Sequence, residues 1–191
     1  MAASQKDIIT LPNAHLRQRS VRIGYITEEI RNTVKDMADA LLDWEAGRKH
    51  EVGVALAAVQ IDRLQRIVIV RNDPDDKKDK NFVVFINPEI VKKEGKLLED
   101  YEGCLSITDI YGKVPRYERV KVKATDLNGN DFRVTLEGFL ARILQHEIDH
   151  TNGIVFADHI KENSKAFYRL ESNGKLVQLD YDKDIKNSVL W

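Results

Sequence analysis

One cysteine in 191 residues rules out an internal disulfide, which fits a reducing, cytoplasmic setting and leaves the thiol of Cys104 free for chemistry. No apolar run approaches the roughly 18 residues that a spanning helix needs, so no membrane partner is expected. The first residues lack the basic and apolar regions of a signal peptide and the Arg-rich amphipathic pattern of a transit peptide. Neither charge is in excess: 30 Lys and Arg stand against 31 Asp and Glu, and a net charge of −1 gives no electrostatic reason to bind nucleic acid. Repeats, low-complexity tracts and Pro/Gly-rich linkers are also missing, so residues 1–191 read as one domain able to bury well over half of its unfolded surface.

What is present is regular patterning. Ile26, Ile30, Val34, Met37, Ala38, Leu41 and Leu42 share one helical stripe, Thr27 suits an N-cap, and Glu28 and Glu29 suit the positive end of the dipole, which predicts a helix over about 28–46. The β-branched run from Arg66 to Val70 and the run from Phe82 to Ile86, the latter stopping before Asn87-Pro88, read as buried strands joined by a charged, solvated tip at 73–80. Val120, Val122 and Ala124, then Asn128-Gly129, then Phe132, Val134 and Leu136 spell a hairpin. Phe139, Leu140, Ile143, Leu144 and Ile148 follow at helical spacing and end near Asn152-Gly153. Asn173-Gly174 between two short apolar runs predicts a second hairpin, so 165–191 reads as a β-hairpin extension. The sum is an α+β fold: antiparallel sheets and hairpins around a central buried helix, with the N-terminal helix packed outside.

That central helix carries Gln145-His146-Glu147-Ile148-Asp149-His150. Imidazoles four residues apart lie about 40° apart around a helix axis, so both can bind one metal ion. Glu147, next to the first, is placed to take a proton from a water activated there. Cys104, in Glu102-Gly103-Cys104-Leu105-Ser106, is the natural third ligand for a borderline-soft ion held by two His. Two His, one Cys and an open fourth position describe hydrolase chemistry. Asp149 reads as an anchoring carboxylate around that centre, and His15, His50 and His159 as ordinary histidines.

Three segments then resemble peptide deformylases, metal hydrolases that remove the formyl group from the formylmethionine of newly made polypeptides: 53–60 (a Gly-x-Gly-Leu-Ala-Ala-x-Gln pattern), 102–106 and 145–150, in the family's order and at similar separations. The likeness covers most of residues 8–160. It implies that Cys104, His146 and His150 hold one divalent metal, with iron (Fe2+) favoured although such N₂S donors also accept Zn2+, Ni2+ or Co2+. It further implies Glu147 as general base, with Gln60 and the Leu105 backbone N–H donating to the formyl oxygen. N-formylmethionyl peptides would bind along Gly53, Val54 and Ala55, with Val54, Phe139, Ile143 and the stem of Arg142 around the methionine side chain, and Arg116 either near the groove entrance or, equally, in a structural ion pair. The family meets its substrate at the ribosome exit tunnel, though this chain has no long basic C-terminal helix to dock there. Two positions depart from the pattern: Ala55 replaces the second glycine, where its methyl could crowd a bound peptide, and Thr151 replaces the usual leucine after the last His.

Rival readings fail on residues. Zinc peptidases with an extended His-Glu-x-x-His-x-x-Gly-x-x-His pattern would need a third His where Phe156 stands, and they give no account of Cys104. A structural zinc site is usually closed by four protein ligands, often several of them Cys, and only one Cys is available.

Overall fold

A computed structural model describes residues 2–48 and 51–191, so the expectation for His50 lies outside the described residues. The N-terminal helix α1 spans Glu28–Ala46, and the Thr27 side chain accepts from the Ile30 N–H as the N-cap pattern predicts. Seven strands follow in one sheet: β1 (Ala55–Ala57), β2 (Ile67–Arg71), β3 (Phe82–Cys104), β4 (Ile107–Thr125), β5 (Asp131–Glu137), β6 (Phe167–Leu170) and β7 (Leu176–Gln178). Every pairing between them is antiparallel; the path runs β1-β2-β3-β4-β6-β7, with β5 also on β4. The second long helix, α2, is Gly138–Thr151, and a single turn, α3, is Phe156–His159.

The continuous β-branched run of β2 is explained by burial on both faces. Successive side chains point to opposite sides of a strand. Ala55, Ala57, Val68 and Val70 therefore meet Ala141, Leu144 and Ile148 of α2. Leu56, Ile67 and Ile69 meet Ile30, Met37 and Leu41 of α1 on the other face. The metal-motif helix thus lies against one face of the sheet and α1 against the other. A third apolar cluster joins Ile107, Val114, Phe156 and Phe167 to the chain end, where Ile185 and Leu190 fold back beneath the β6–β7 hairpin.

Boundaries differ from expectation in three places: β4 begins at Ile107, well ahead of Val120; the hairpin read over 165–191 is confined to Phe167–Leu170 and Leu176–Gln178, with a helical turn at Tyr181–Ile185 after it; and β3 runs past its expected end. The strand beginning at Phe82 does not stop at Asn87-Pro88; β3 continues to Cys104. Asn87 takes φ 53 at a register shift between Ile86 and Glu89, its N–H donates to the Arg66 carbonyl at 2.8 Å, and the Pro88 carbonyl accepts from Arg66 Nε at 3.1 Å. Asn-Pro here marks a bulge, because Asn tolerates the left-handed region and Pro is compatible with the irregular position. Through it the long β3–β4 hairpin delivers Cys104 to α2.

Candidate active site

Cys104 closes β3 and pairs with Ile107, so Leu105 and Ser106 form a two-residue turn at the end of that hairpin. The turn meets α2 where His146 and His150 face it, with ring centroids 4.9 Å apart. One ligand atom from each of Cys104, His146 and His150 lies within 4.8 Å of the others. With ligand bonds of about 2.0–2.3 Å, that spacing suits a single tetrahedral ion. His146 Nδ1 is 2.9 Å from Glu102 Oε2, which reserves its Nε2 for the cluster, and His150 Nε2 is 3.2 Å from the Cys104 sulfur. Burial pushes the Cys104 thiol up, but the His150 and His146 imidazoles outweigh it and hold it at about 5, so the sulfur is a thiolate. The residues present fit a borderline-soft divalent ion.

Glu147 is buried beside this cluster, and its Oε2 has no protein partner. Burial raises its pKa, opposed by the two imidazoles and reinforced by Cys104 and Glu102. A buried carboxylate with a free oxygen and a raised pKa is suited to take up a proton and give it back. Gln60 is oriented by the backbone: its Oε1 accepts from the Ala57 N–H at 2.9 Å, so its NH₂ points to Ser106 Oγ at 3.2 Å and towards the Cys104 sulfur at 3.7 Å. The amide therefore presents donors to the site.

These groups line a cavity of about 290 Å³ together with Val54, Ala55, Leu105, Phe139, Arg142 and Ile143. β1 is the terminal strand of the sheet, so one edge of its backbone is left unpaired by other strands. His150 lies fully buried behind the cavity wall. Phe156, where a third ligand would fall in the peptidase pattern, stacks near His146 with centroids 6.3 Å apart.

Two predicted substrate contacts sit elsewhere. Arg116 does not line the cavity; its guanidinium is buried against Glu102, at 2.9 and 3.0 Å, and against Asp149. A planar fork with several fixed donors is satisfied best by carboxylates in the interior, and β4 turns this one inward. Gly53 also lies behind the wall: its carbonyl accepts from Arg71 Nε at 3.1 Å, and a Cβ there would come within 2.8 Å of Leu41. It is glycine because α1 packs against it. Arg142 is among the residues that line the cavity, and its head group donates to Glu102 at 2.7 Å and to the Val114 and Leu98 carbonyls.

The residue that the sequence analysis left without a role is Glu102. It is buried and joins Arg116, Arg142 and His146. Although burial pushes its carboxyl up, His146 and Arg116 prevail and hold it well below the usual carboxylate range. Its place two residues before Cys104 on a strand puts both side chains on one face, a spacing that was there to be read.

A model of the polypeptide deformylase family matches residues 5–166. The chain is 44% identical over 166 residues to a peptide deformylase of Thermomicrobium roseum, covering 85% of this chain and 90% of that protein. It is 39% identical over 164 residues to a peptide deformylase of Rhodopseudomonas palustris, covering 84% and 89%. Among solved structures, a peptide deformylase from Legionella pneumophila superposes with a TM-score of 0.72 at 38% identity, covering 83% of this chain and 86% of that one. A Met-Ala-Ser-bound peptide deformylase from Acinetobacter baumannii gives a TM-score of 0.72 at 30% identity, covering 84% and 99%.

Proposed function

The chain belongs to the peptide deformylase family, hydrolases that remove the N-terminal formyl group from newly made polypeptides, and from that premise we propose which of its residues carry out the reaction. Cys104, His146 and His150 hold one divalent ion. When bound, it supplies Lewis acidity that brings the ionisation of water into the neutral range. The observation that carries this reading is the buried Glu147 carboxylate, with an unpartnered oxygen, beside a Cys-His-His cluster of which Cys104 and His146 line the same cavity and His150 lies behind its wall.

Glu147 takes a proton from the water that attacks the formyl carbon. The Gln60 NH₂ and the Leu105 backbone N–H donate to the formyl oxygen as charge builds on it. Glu147 then passes its proton to the departing nitrogen as the C–N bond breaks, leaving formate and a free N-terminus. The peptide lies extended along the open edge of β1, pairing with the backbone around Val54 and Ala55, and its methionine side chain meets Val54, Phe139, Ile143 and the Arg142 stem. Ala55 is among the residues that line the cavity, at the point where the family pattern has glycine.

The test is formate release from a formyl-methionyl peptide by anaerobically purified protein, with metal analysis of the same sample. Loss of the metal to a chelator should abolish release, and peptide-bond cleavage in place of formate release would point to a peptidase. We further propose iron as the native ion, acting in the cytoplasm, where a reducing environment suits a thiolate ligand. Activity should then decay in air and persist after replacement by Ni2+; equal air stability with every metal would count against iron.

Gln60→Ala should lower kcat by about 10²–10³, the usual cost of one oxyanion donor, while metal content stays at the wild-type level. A Gln60→Ala enzyme within a few-fold of wild type would remove Gln60 from this role.

A further inference from the structure

Two of the cavity's walls, one from Glu51 to Ala55 at the start of β1 and the other from Gly103 through Asp109 to Tyr111, are joined by a side-chain bond. Tyr111 Oη donates to Glu51 Oε1 at 2.6 Å across 60 residues of sequence. We propose that this bond is a strut that sets the width of the peptide groove, making Tyr111 and Glu51 positioning residues for the part of the substrate beyond its formylmethionine.

Both ends of the strut are fixed. The second Glu51 oxygen faces Arg48 Nη1 at 3.1 Å, the Arg48 guanidinium lies over the Trp44 ring at 4.5 Å, and the Glu51 carbonyl accepts from Lys77 Nζ at 3.3 Å. The carboxylate therefore cannot rotate away without breaking a second contact. Opposite, the Tyr111 backbone pairs with Tyr168 in the sheet, and its ring fills the space beside Gly103, where a Cβ would come within 2.5 Å of Cε1. The glycine before Cys104 is what lets the ring sit there. Burial, and after it the Glu51 carboxylate, push the phenol above its ordinary range, so it remains a donor.

The inference rests on the deformylase reading. There, an extended peptide runs between these walls with its formyl end at Glu147, and only residues beyond the methionine pass the strut. Formyl-Met and formyl-Met-Ala-Ser therefore report on it differently.

The experiment measures kcat and KM for both substrates with metal-loaded wild type, Tyr111→Phe, Glu51→Ala and Glu51→Gln, with metal content and Tm recorded for each. The ratio of the tripeptide KM to the formyl-Met KM should rise about five-fold in Tyr111→Phe and Glu51→Ala, with a smaller change in kcat. Glu51→Gln keeps an accepting oxygen and should restore the wild-type ratio. The proposal is overturned if the ratio stays at the wild-type value in both disrupting variants, or if Glu51→Gln behaves like Glu51→Ala. Should Tyr111→Phe fail to fold, the two Glu51 variants decide. A wild type that releases no formate from either substrate sinks the deformylase reading itself, whereas an active wild type with indifferent variants sinks only the strut.

Discussion

Glu147→Gln should bind metal at the wild-type stoichiometry and release formate at least 10²–10⁴ times more slowly. The substitution keeps size and shape but removes the one group beside the cluster that can accept a proton and return it. The three predicted ligands, Cys104, His146 and His150, are untouched, so metal content and turnover should separate. Stability should move in the opposite direction from activity. Burial raises the Glu147 pKa, which means the folded state disfavours the carboxylate more than the unfolded chain does. A neutral amide avoids that cost, and the unpartnered Oε2 means that no hydrogen bond from that oxygen is lost. The metal-free variant should therefore melt no lower than metal-free wild type. Kinetics, metal analysis and a melting curve on one preparation check all three expectations, and near-normal turnover would show that Glu147 is not the base.

The parts of this fold that were legible are those where a local signal and the tertiary structure agree. Thr27 caps α1, and the apolar stripe of α1 packs on β1 and β2. Gly129 and Gly174 take the positive φ values of 86 and 81 that their Asn-Gly hairpin turns require. The cluster was legible because two of its members share a helix face and the third is the only sulfur nucleophile in the chain. What escaped was set by distant partners. Asn87-Pro88 has the local chemistry of a strand end, yet Arg66, just ahead of β2, satisfies its backbone and lets β3 continue. Arg116 could be read as a groove contact or as half of an ion pair, and only the buried carboxylate that β3 brings within reach decides for the pair. Gly53 belongs to a substrate-binding pattern, but its lack of a side chain serves the approach of Leu41. In each case the deciding atom lies far away in sequence, where neither period nor turn chemistry can show it.

Glu102→Ala should be the most destabilising single change near the site, because the Glu102 carboxylate is the shared partner of three buried cationic or polar groups. It accepts from Arg116 at 2.9 and 3.0 Å, from Arg142 at 2.7 Å, and faces His146 Nδ1 at 2.9 Å. Truncation leaves two guanidinium groups short of a counter-charge in the interior, a defect that typically costs about 3–5 kcal/mol. For a chain of this length that corresponds to a fall in Tm of roughly 6–20 °C. Asp149 still pairs with Arg116, and carbonyl oxygens still hold Arg142, so the loss should not reach complete unfolding. Glu102→Gln should fall between, since it keeps the shape but presents an NH₂ group to donors. The folded-state pKa of Glu102 lies below the unfolded value of about 4.3, so its stabilisation is present above that value and is lost only as pH falls towards the folded value. The gap in Tm between wild type and Glu102→Ala should accordingly persist from pH 8 to about pH 5. Because His146 also loses the group that fixes its ring, metal affinity should drop by about 10–100-fold, a change that competition with a chelator measures separately from folding. An alanine variant that melts within about 2 °C of wild type and holds its metal as tightly would show that Glu102 neither stabilises the two arginines nor keeps the His146 ring in place.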